Sequence, residues 1–406
     1  MKTKVLALAV VLTVTLSHGF AGRAAAQVSN DVVRIGFITD LSGLYADIDG
    51  PAGAEAVRMA VADFGGSVLG KKIEVLVADH QNKPDVASAK AREWIDQQGL
   101  DMLVGGTNSG ASIAMAKVAA EKKRPFLAIG AGSTRLTNED CTPYTVHYAY
   151  DTYALANVAG PEIVKRGGKT WFFLTADYAF GHSLEKDTTD VINAAGGKVL
   201  GAVRHPLGTA DFSSFLLQAQ ASKAQILGLA NAGGDTINSV KAAREFGITK
   251  SMRMAGMLVF INDVHSLGLA NTQGMLLTDG WYWDMNDETR AWSRKFFERF
   301  KRQPSMLQAA DYSATMQYLN AIKAAGTDAG DKVMAQLKKT RINDFFARNG
   351  VIREDGRMLH EMYLMEVKTP AESRHPWDYY KVVARVPAER AAQPLSKSAC
   401  PMIRKS

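Results

Sequence analysis

From Asp31 onward, short apolar runs rich in β-branched residues alternate with longer stretches whose apolar positions recur every three or four residues. The expected strands are Val32 to Ile38, Ile73 to Ala78, Met102 to Gly105 and Phe126 to Ile129. Helices are expected between them, near 52–64, 85–97 and 110–122; in the first, Ala54, Val57, Ala60, Val61 and Phe64 share one face. Apolar strands alternating with helices imply parallel β-α units covered on both faces. The alternation restarts near Thr170, with strands expected at Thr170 to Leu174, Lys198 to Val203, Gln225 to Leu229 and Met252 to Met257, and helices near 180–194, 211–221 and 235–246. A loop-like segment, 138–150, separates the two units. After Gly274 come a strand (Met275 to Thr278), the aromatic run Trp281-Tyr282-Trp283, three helical stretches near 287–302, 308–325 and 330–340, and strand-like pieces at Glu361 to Val367 and Tyr379 to Ala384. A chain that still has elements to place after its second unit is expected to cross between the two bodies more than once.

The first residues follow a different pattern. Lys2 and Lys4 precede an apolar run from Val5 to about Val14, and Ala24, Ala25 and Ala26 precede Gln27. This is the form of a signal peptide, 1–26, cleaved near Ala26. The run is too short for a bilayer span, which needs about 20 residues. The mature chain is therefore expected to be soluble outside the cytoplasm, with a buried N-terminal helix as the alternative.

At 406 residues the chain exceeds a usual single core, so two domains are expected. Its 47% hydrophobic and 22% charged residues are those of an ordinary globular protein. Losing Lys2, Lys4 and Arg23 with the leader lowers the formal charge from +7 to +4, and no basic stretch is interleaved with aromatics. Nucleic acid is not an expected partner. Of the two cysteines, Cys141 lies in NEDCTPY and Cys400 in the tail SACPMIRKS. An oxidising compartment permits a bond that would staple the tail 391–406 to the body; two free buried thiols are the alternative.

Ligands of open α/β sheets bind at the carboxyl ends of strands. There the first strand runs into Asp40-Leu41-Ser42-Gly43-Leu44-Tyr45. The third gives Gly105-Gly106-Thr107-Asn108-Ser109-Gly110-Ala111-Ser112 and the fourth Gly130-Ala131-Gly132-Ser133-Thr134. Small and glycine-rich loops let the backbone approach a ligand closely. Free N–H groups at a helix start, with the hydroxyl of Ser109 or Ser133, suit a carboxylate; the plainer reading is that these residues only cap helices and make turns. The second unit offers Ala176-Asp177-Tyr178-Ala179-Phe180-Gly181 and Asn231-Ala232-Gly233-Gly234-Asp235. Tyr178 could lay a ring and a hydroxyl against a ligand. Asp235 could pair with a ligand amine or favour its own helix start. Trp281 and Trp283 could wall a cleft or pack a core.

Catalytic signals are poor. Gly167-Gly168-Lys169-Thr170 precedes a strand instead of opening a helix and has Ile163 where a phosphate-binding loop needs glycine. Gly110-Ala111-Ser112-Ile113-Ala114 only faintly matches a nucleophile elbow, so a secreted serine hydrolase using Ser112 is a remote alternative. The His residues lack metal-ligand spacing, and no dinucleotide fingerprint occurs. No enzyme, cofactor or metal is expected.

Taken in order, RIGFITDLSGLYADIDGPAGAEAVRMAV (34–61), VGGTNSGASIAMAKVA (104–119), FLAIGAGSTRLT (126–137), YDTYALA (150–156), TADYAFGHS (175–183) and ILGLANAGGDTINSVKAAREFGI (226–248) resemble the branched-chain amino-acid-binding type of periplasmic receptor for ABC transporters. The resemblance covers nearly all of the chain after the leader. It implies an α/β fold of the type I periplasmic binding protein kind, with two Rossmann-like lobes joined by a three-stranded hinge around a ligand cleft. Lobe 1 is expected at 31–148 plus about 282–358, and lobe 2 at 149–281 plus about 359–390. By resemblance, the loops Asn108 to Gly110 and Ala131 to Ser133 bind the ligand carboxylate, Tyr45 or Ile48 lines the side-chain pocket, and Tyr178 closes it with the loop Asn231, Gly233 and Asp235. The amino-acid receptors place an acidic residue after the strand matching Met252 to Met257; here Gly256-Met257-Leu258-Val259-Phe260 is apolar. A buried ammonium without a partner is costly, so an aromatic acid of the benzoate or hydroxycinnamate type is expected over a branched-chain or other aliphatic amino acid. The implied partners are that small carboxylate and a membrane permease, with a monomer as the default. A ligand-sensing domain working with a separate chain is a further alternative.

Overall fold

A computed structural model describes residues 28–403 of the chain. The expected leader and its cleavage site fall outside the described residues, as do the last three positions of the tail.

The first body is built on a six-stranded sheet. In chain order it comprises β1 (Val32–Thr39), α1 (Gly50–Phe64), β2 (Ser67–Val68), β3 (Lys71–Asp79), α2 (Pro84–Gln98), β4 (Met102–Gly105), α3 (Ser109–Glu121), β5 (Phe126–Ala128) and β6 (Thr145–His147). The strand order is β2-β3-β1-β4-β5-β6, parallel except for the short β2. The chain then forms α4 (Thr152–Lys165), β7 (Thr170–Ala176), α5 (Ala179–Ala194), β8 (Lys198–His205), α6 (Ser213–Ala221), β9 (Ile226–Ala230), α7 (Gly234–Glu245) and β10 (Arg253–Gly256). These give a second, all-parallel sheet in the order β10-β9-β7-β8. The inner strands β1, β4, β7 and β9 read as near-continuous apolar runs because helices cover both faces.

After β10 come α8 (Ile261–Leu267), α9 (Leu269–Thr272) and β11 (Leu276–Asp279). Three helices follow: α10 (Asp287–Phe300), α11 (Met306–Ala325) and α12 (Gly330–Lys339). They return to the first body, where α11 lies against α1 and α10 also touches α1. The short pair β12 (Val351–Ile352) and β13 (Met358–Leu359) precedes β14 (Met362–Val367), β15 (Tyr380–Val386) and α13 (Ala388–Ala391). β14 and β15 join β11 in an antiparallel sheet ordered β11-β14-β15. The chain thus passes between the bodies after β6, after β11 and after β13. These crossings touch one another: His360 Nε2 lies 2.5 Å from the carbonyl of Ala149. Burial lowers the His360 pKa to about 4, so its ring is neutral.

Two expectations are corrected here. The segment 138–150 is not only loop, since it carries β6, which extends the sheet beside β5. A three-residue edge strand is too short to show period-two alternation. Helix α4 is an element the periodicity missed. It is buried on most sides, with Leu155, Ala156, Val158, Ala159 and Ile163 among its buried residues, and it contains Pro161. A helix apolar nearly all round has no polar face to mark its period.

The contact between α1 and α11 is close at Gly53. A Cβ there would press on Asp49 Oδ1 and stand 2.6 Å from Phe37 Cζ and 2.7 Å from Asp311 Oδ2. Alanine in a helix interior ordinarily stabilises by up to about 1 kcal/mol over glycine. We expect the reverse for Gly53→Ala, a loss of about 1–3 kcal/mol from overpacking; an unfolding midpoint equal to or above that of the wild type would refute this contact.

Candidate functional site

The carboxyl ends of both sheets face one another across the cleft, and their loops touch. The Tyr45 hydroxyl, after β1, lies 2.7 Å from that of Tyr178, after β7. The Gly234 amide donates to the Leu44 carbonyl at 3.3 Å, Asn262 Nδ2 to the Asp47 carbonyl at 2.8 Å, and the hydroxyls of Ser133 and Ser183 are 2.7 Å apart. Behind the serines, Thr152 and Thr134 donate to Asp187 Oδ2 of α5 at 2.6 and 3.1 Å. Burial pushes the Asp187 pKa up to about 6. The two bodies are closed on each other.

The loop after β1 is shaped by Asp40, whose carboxylate accepts from the amides of Gly43 and Tyr45, each at 2.8 Å. Tyr45 and Ile48 are thereby turned inward, at 1% and 2% exposure. At the start of α3, the Asn108 side chain accepts from the Ala111 amide at 3.0 Å and its carbonyl takes the Ser112 amide. Ser109 and Gly110 thus supply amides at a helix start, where no intrahelical acceptor exists. Ser109 Oγ accepts from the Ser133 amide at 3.1 Å, which ties this loop to the one after β5. Gly132 sits between two rings: a Cβ there would stand 2.9 Å from both Phe180 and Tyr150. Only glycine allows that approach.

In the second body, Gly233 adopts φ 58 as N-cap of α7, a left-handed conformation that favours glycine. A side chain there would run into the Leu44 carbonyl and the Tyr45 ring. Asn231 is fully buried and its amide is already occupied. Nδ2 reaches His205 Nε2 at 3.2 Å, and Oδ1 accepts from Thr236 at 2.8 Å. Its side chain shapes the loop. Asp235 is also fully buried, one residue into α7, and it makes no cap bond; Oδ2 accepts from the Gly208 amide at 3.2 Å while Oδ1 has no hydrogen-bond partner. Burial raises its pKa to about 6, and its charge bears on both tyrosine hydroxyls. Met257, Leu258 and Phe260 are all buried after β10.

Sequence reasoning did not select two rings. Tyr150 follows β6, with its hydroxyl donating to the Gly130 carbonyl at 2.7 Å and its ring 6.4 Å from that of Phe260. Phe180 lies 6.0 Å from Tyr178. Both follow the carboxyl end of a strand, which is the signal that could have found them. Ser112 is no nucleophile: it is buried and donates to the Gly106 carbonyl at 3.0 Å. Trp281 packs against Trp292 and Phe345 instead of walling the cleft. The one cluster of metal-type donors among the described residues, Asp284, His375 and Asp378, is held by Arg290 and Lys368. A cavity of about 340 Å³ lies at the opposite, amino-terminal edge of β9 and β10, beside Ile163, Arg166, Arg253 and Met254.

Residues 32–373 match the model of a protein family described as periplasmic binding protein. The chain belongs to that family. This periplasmic binding protein is 65% identical to one of known structure from Burkholderia mallei, with 92% of this chain and 100% of that chain covered at a TM-score of 0.91. A branched-chain amino-acid ABC transporter periplasmic ligand-binding protein from Burkholderia xenovorans is 37% identical, covering 91% and 99% of the two chains at a TM-score of 0.81. Leu/Ile/Val-binding protein homolog 6 of Brucella melitensis is 26% identical over 260 residues, 63% of this chain and 66% of that relative. The match therefore spans just under two thirds of that relative's length. An ABC-transporter solute-binding protein from Rhodopseudomonas palustris, in complex with 3,4-dihydroxybenzoic acid, shares the fold at 22% identity and a TM-score of 0.79, over 88% of this chain and 98% of that one. The fold is that of a type I periplasmic binding protein, and the homologues are substrate-binding proteins of ABC transporters, not enzymes. Family membership implies a periplasmic location. Among the described residues no helix is long and apolar enough to cross a membrane.

Proposed function

We propose that this binding protein captures a small aromatic carboxylate between its lobes and delivers it to its permease. The observation that carries the reading is the convergence of Tyr45, Tyr150, Tyr178, Phe180 and Phe260 from both bodies beside the α3 start. Those rings supply flat apolar walls, and the amides of Ser109 and Gly110, with the Ser109–Ser133 pair, supply an anion site at a helix N-terminus. The buried turn Met257 to Phe260 offers a ligand ammonium no counter-charge. Closure follows from a ligand that touches both lobes only when they meet. In this reading lobe 1 comprises 31–148 plus about 282–358 and lobe 2 comprises 149–281 plus about 359–390, with Ile48, Ala131, Gly132, Gly233 and Met257 lining the closed site.

A second reading, an aliphatic amino acid, is favoured by the unpartnered Oδ1 of buried Asp235. A thermal-shift screen with 4-hydroxybenzoate, a hydroxycinnamate, leucine and succinate separates the two. A ligand at 100 times its Kd adds about 2.7 kcal/mol, which at about 2–4 °C per kcal/mol is a rise of several degrees. Only the aromatic acids are expected to raise the midpoint. A response to leucine alone, lost in Asp235→Asn, would replace the first reading with the second.

A further inference from the structure

Behind the loop that carries Tyr45 and Ile48 lie two carboxyl groups that the binding site does not use. Asp49 ends that loop and precedes α1; Asp311 projects from α11; both are fully buried. They converge on the space that Gly53 leaves, where a Cβ would meet Asp49 Oδ1 and, at 2.7 Å, Asp311 Oδ2. Among the described residues neither forms an ion pair with Lys, Arg or His. Asp49 Oδ2 has Thr39 Oγ1 at 3.4 Å. Asp49 Oδ1 and both Asp311 oxygens have no other donor. Gln308 Nε2 of α11 donates to the Ile48 carbonyl at 2.9 Å and also favours the Asp49 carboxylate, though less than burial disfavours it. Two charged carboxylates so placed would repel in a dry environment with no cation to offset the cost. A proton between them removes the repulsion and supplies the missing donor.

We propose that Asp49 and Asp311 share a proton, carboxylic acid to carboxylate, and that this bond together with Gln308 clamps the Tyr45–Ile48 loop to α11. They are positioning residues, acting through the loop. The link to ligand affinity rests on the aromatic-carboxylate reading; the shared proton does not. Tyr150 is the further titratable group that feels Asp49. The charges of the packed helices are turned to the surface: Glu55 of α1 pairs with Arg299 of α10 at 3.2 Å, Arg58 is exposed, and Tyr312 of α11 donates to Asp63 at 2.8 Å. Burial raises Asp49 to about 6 and Asp311 well above the carboxylate range. An acid raised on folding contributes stability at low pH that is lost as pH climbs from its unfolded value toward its folded one. Above about pH 6 the pair keeps one proton, on Asp311, and the clamp loosens only as pH approaches the raised Asp311 value.

The test compares the wild type with Asp311→Asn, whose amide donates to Asp49 with no proton to lose, and with Asp49→Asn as a second variant. In ligand-free protein at pH 7, an infrared difference spectrum against either variant should contain a protonated-carboxyl C=O band. The unfolding midpoint should fall between pH 6 and 9 in the wild type and fall less in Asp311→Asn. Affinity for 4-hydroxybenzoate should weaken, by at most about tenfold per pH unit, once pH reaches the raised Asp311 value in the wild type, with the slope reduced in Asp311→Asn. A spectrum without the band, or parallel midpoint profiles, overturns the shared proton. A band with unchanged affinity slopes overturns the clamp's hold on the loop. Absence of 4-hydroxybenzoate binding altogether counts against the ligand reading, while the infrared and unfolding results still decide the pair.

Discussion

Replacing Arg357 with methionine is expected to cost about 3–5 kcal/mol, the largest single effect in this molecule. Arg357 and Asp151 are each 3% exposed at the side chain, with Nε 2.7 Å from Oδ2. The same guanidinium donates from Nη1 to the carbonyls of His147 at 2.9 Å, Tyr148 at 3.1 Å and Met358 at 2.8 Å. Asp151 meanwhile caps α4 by accepting from the Ala154 amide at 2.7 Å. One cation therefore joins the end of β6, the first crossing and the strand before the third. Its removal leaves a buried carboxylate unpaired and backbone carbonyls unsatisfied. The double variant Asp151→Asn with Arg357→Met should recover part of the loss, because no lone charge remains. Urea unfolding of the single and double variants checks this; a single variant within about 1 kcal/mol of wild type would show that the pair does not hold the crossings.

Cys400→Ser is expected to lower stability by about 2–4 kcal/mol. Cys141 and Cys400 are bonded across a sequence separation of 259, with Cα atoms 5.6 Å apart. Closing so long a loop sets a chain-entropy ceiling of about 5–6 kcal/mol. The realised value falls short because the tail keeps other ties: Asn138 accepts from the Ala399 amide at 2.8 Å and donates to Gln393 at 2.9 Å, and Arg353 donates to the Gln393 carbonyl at 2.7 Å. Thermal unfolding of Cys400→Ser and of reduced wild type should agree, several degrees below the oxidised protein. Equal midpoints for oxidised and reduced protein would remove the bond from the account.

Much of the architecture was legible because buried parallel strands and amphipathic helices write themselves as alternating blocks; β1, β4 and β7 start at the expected residues. What escaped was short or featureless: β6, with three residues, and α4, buried nearly all round. The glycine-rich and hydroxyl-rich loops after β4 and β5 were visible as candidates, and the structure brings them together through Ser109 and Ser133. Tyr150 and Phe180 were not selected because a single aromatic after a strand is as often core as site. Asn231 looks free in sequence, yet its commitments to His205 and Thr236 come from elements that only the fold assembles. The same holds for Asp49 and Asp311, which are 262 positions apart in the chain and adjacent at Gly53.

The packing of α1 on α11 sets the order in which this chain can become native. Until residues 306–325 have arrived, α1 has no partner for the face it turns to α11, and β4 lacks the cover that helix gives it. Contacts separated by so much chain are slow to form, because the entropy of closing the loop is spent before any burial repays it. The amino-terminal third therefore has no early resting place of its own. Folding of the first body is thus coupled to the arrival of a helix made late in synthesis, and removing α11 is expected to unfold more than the segment it occupies.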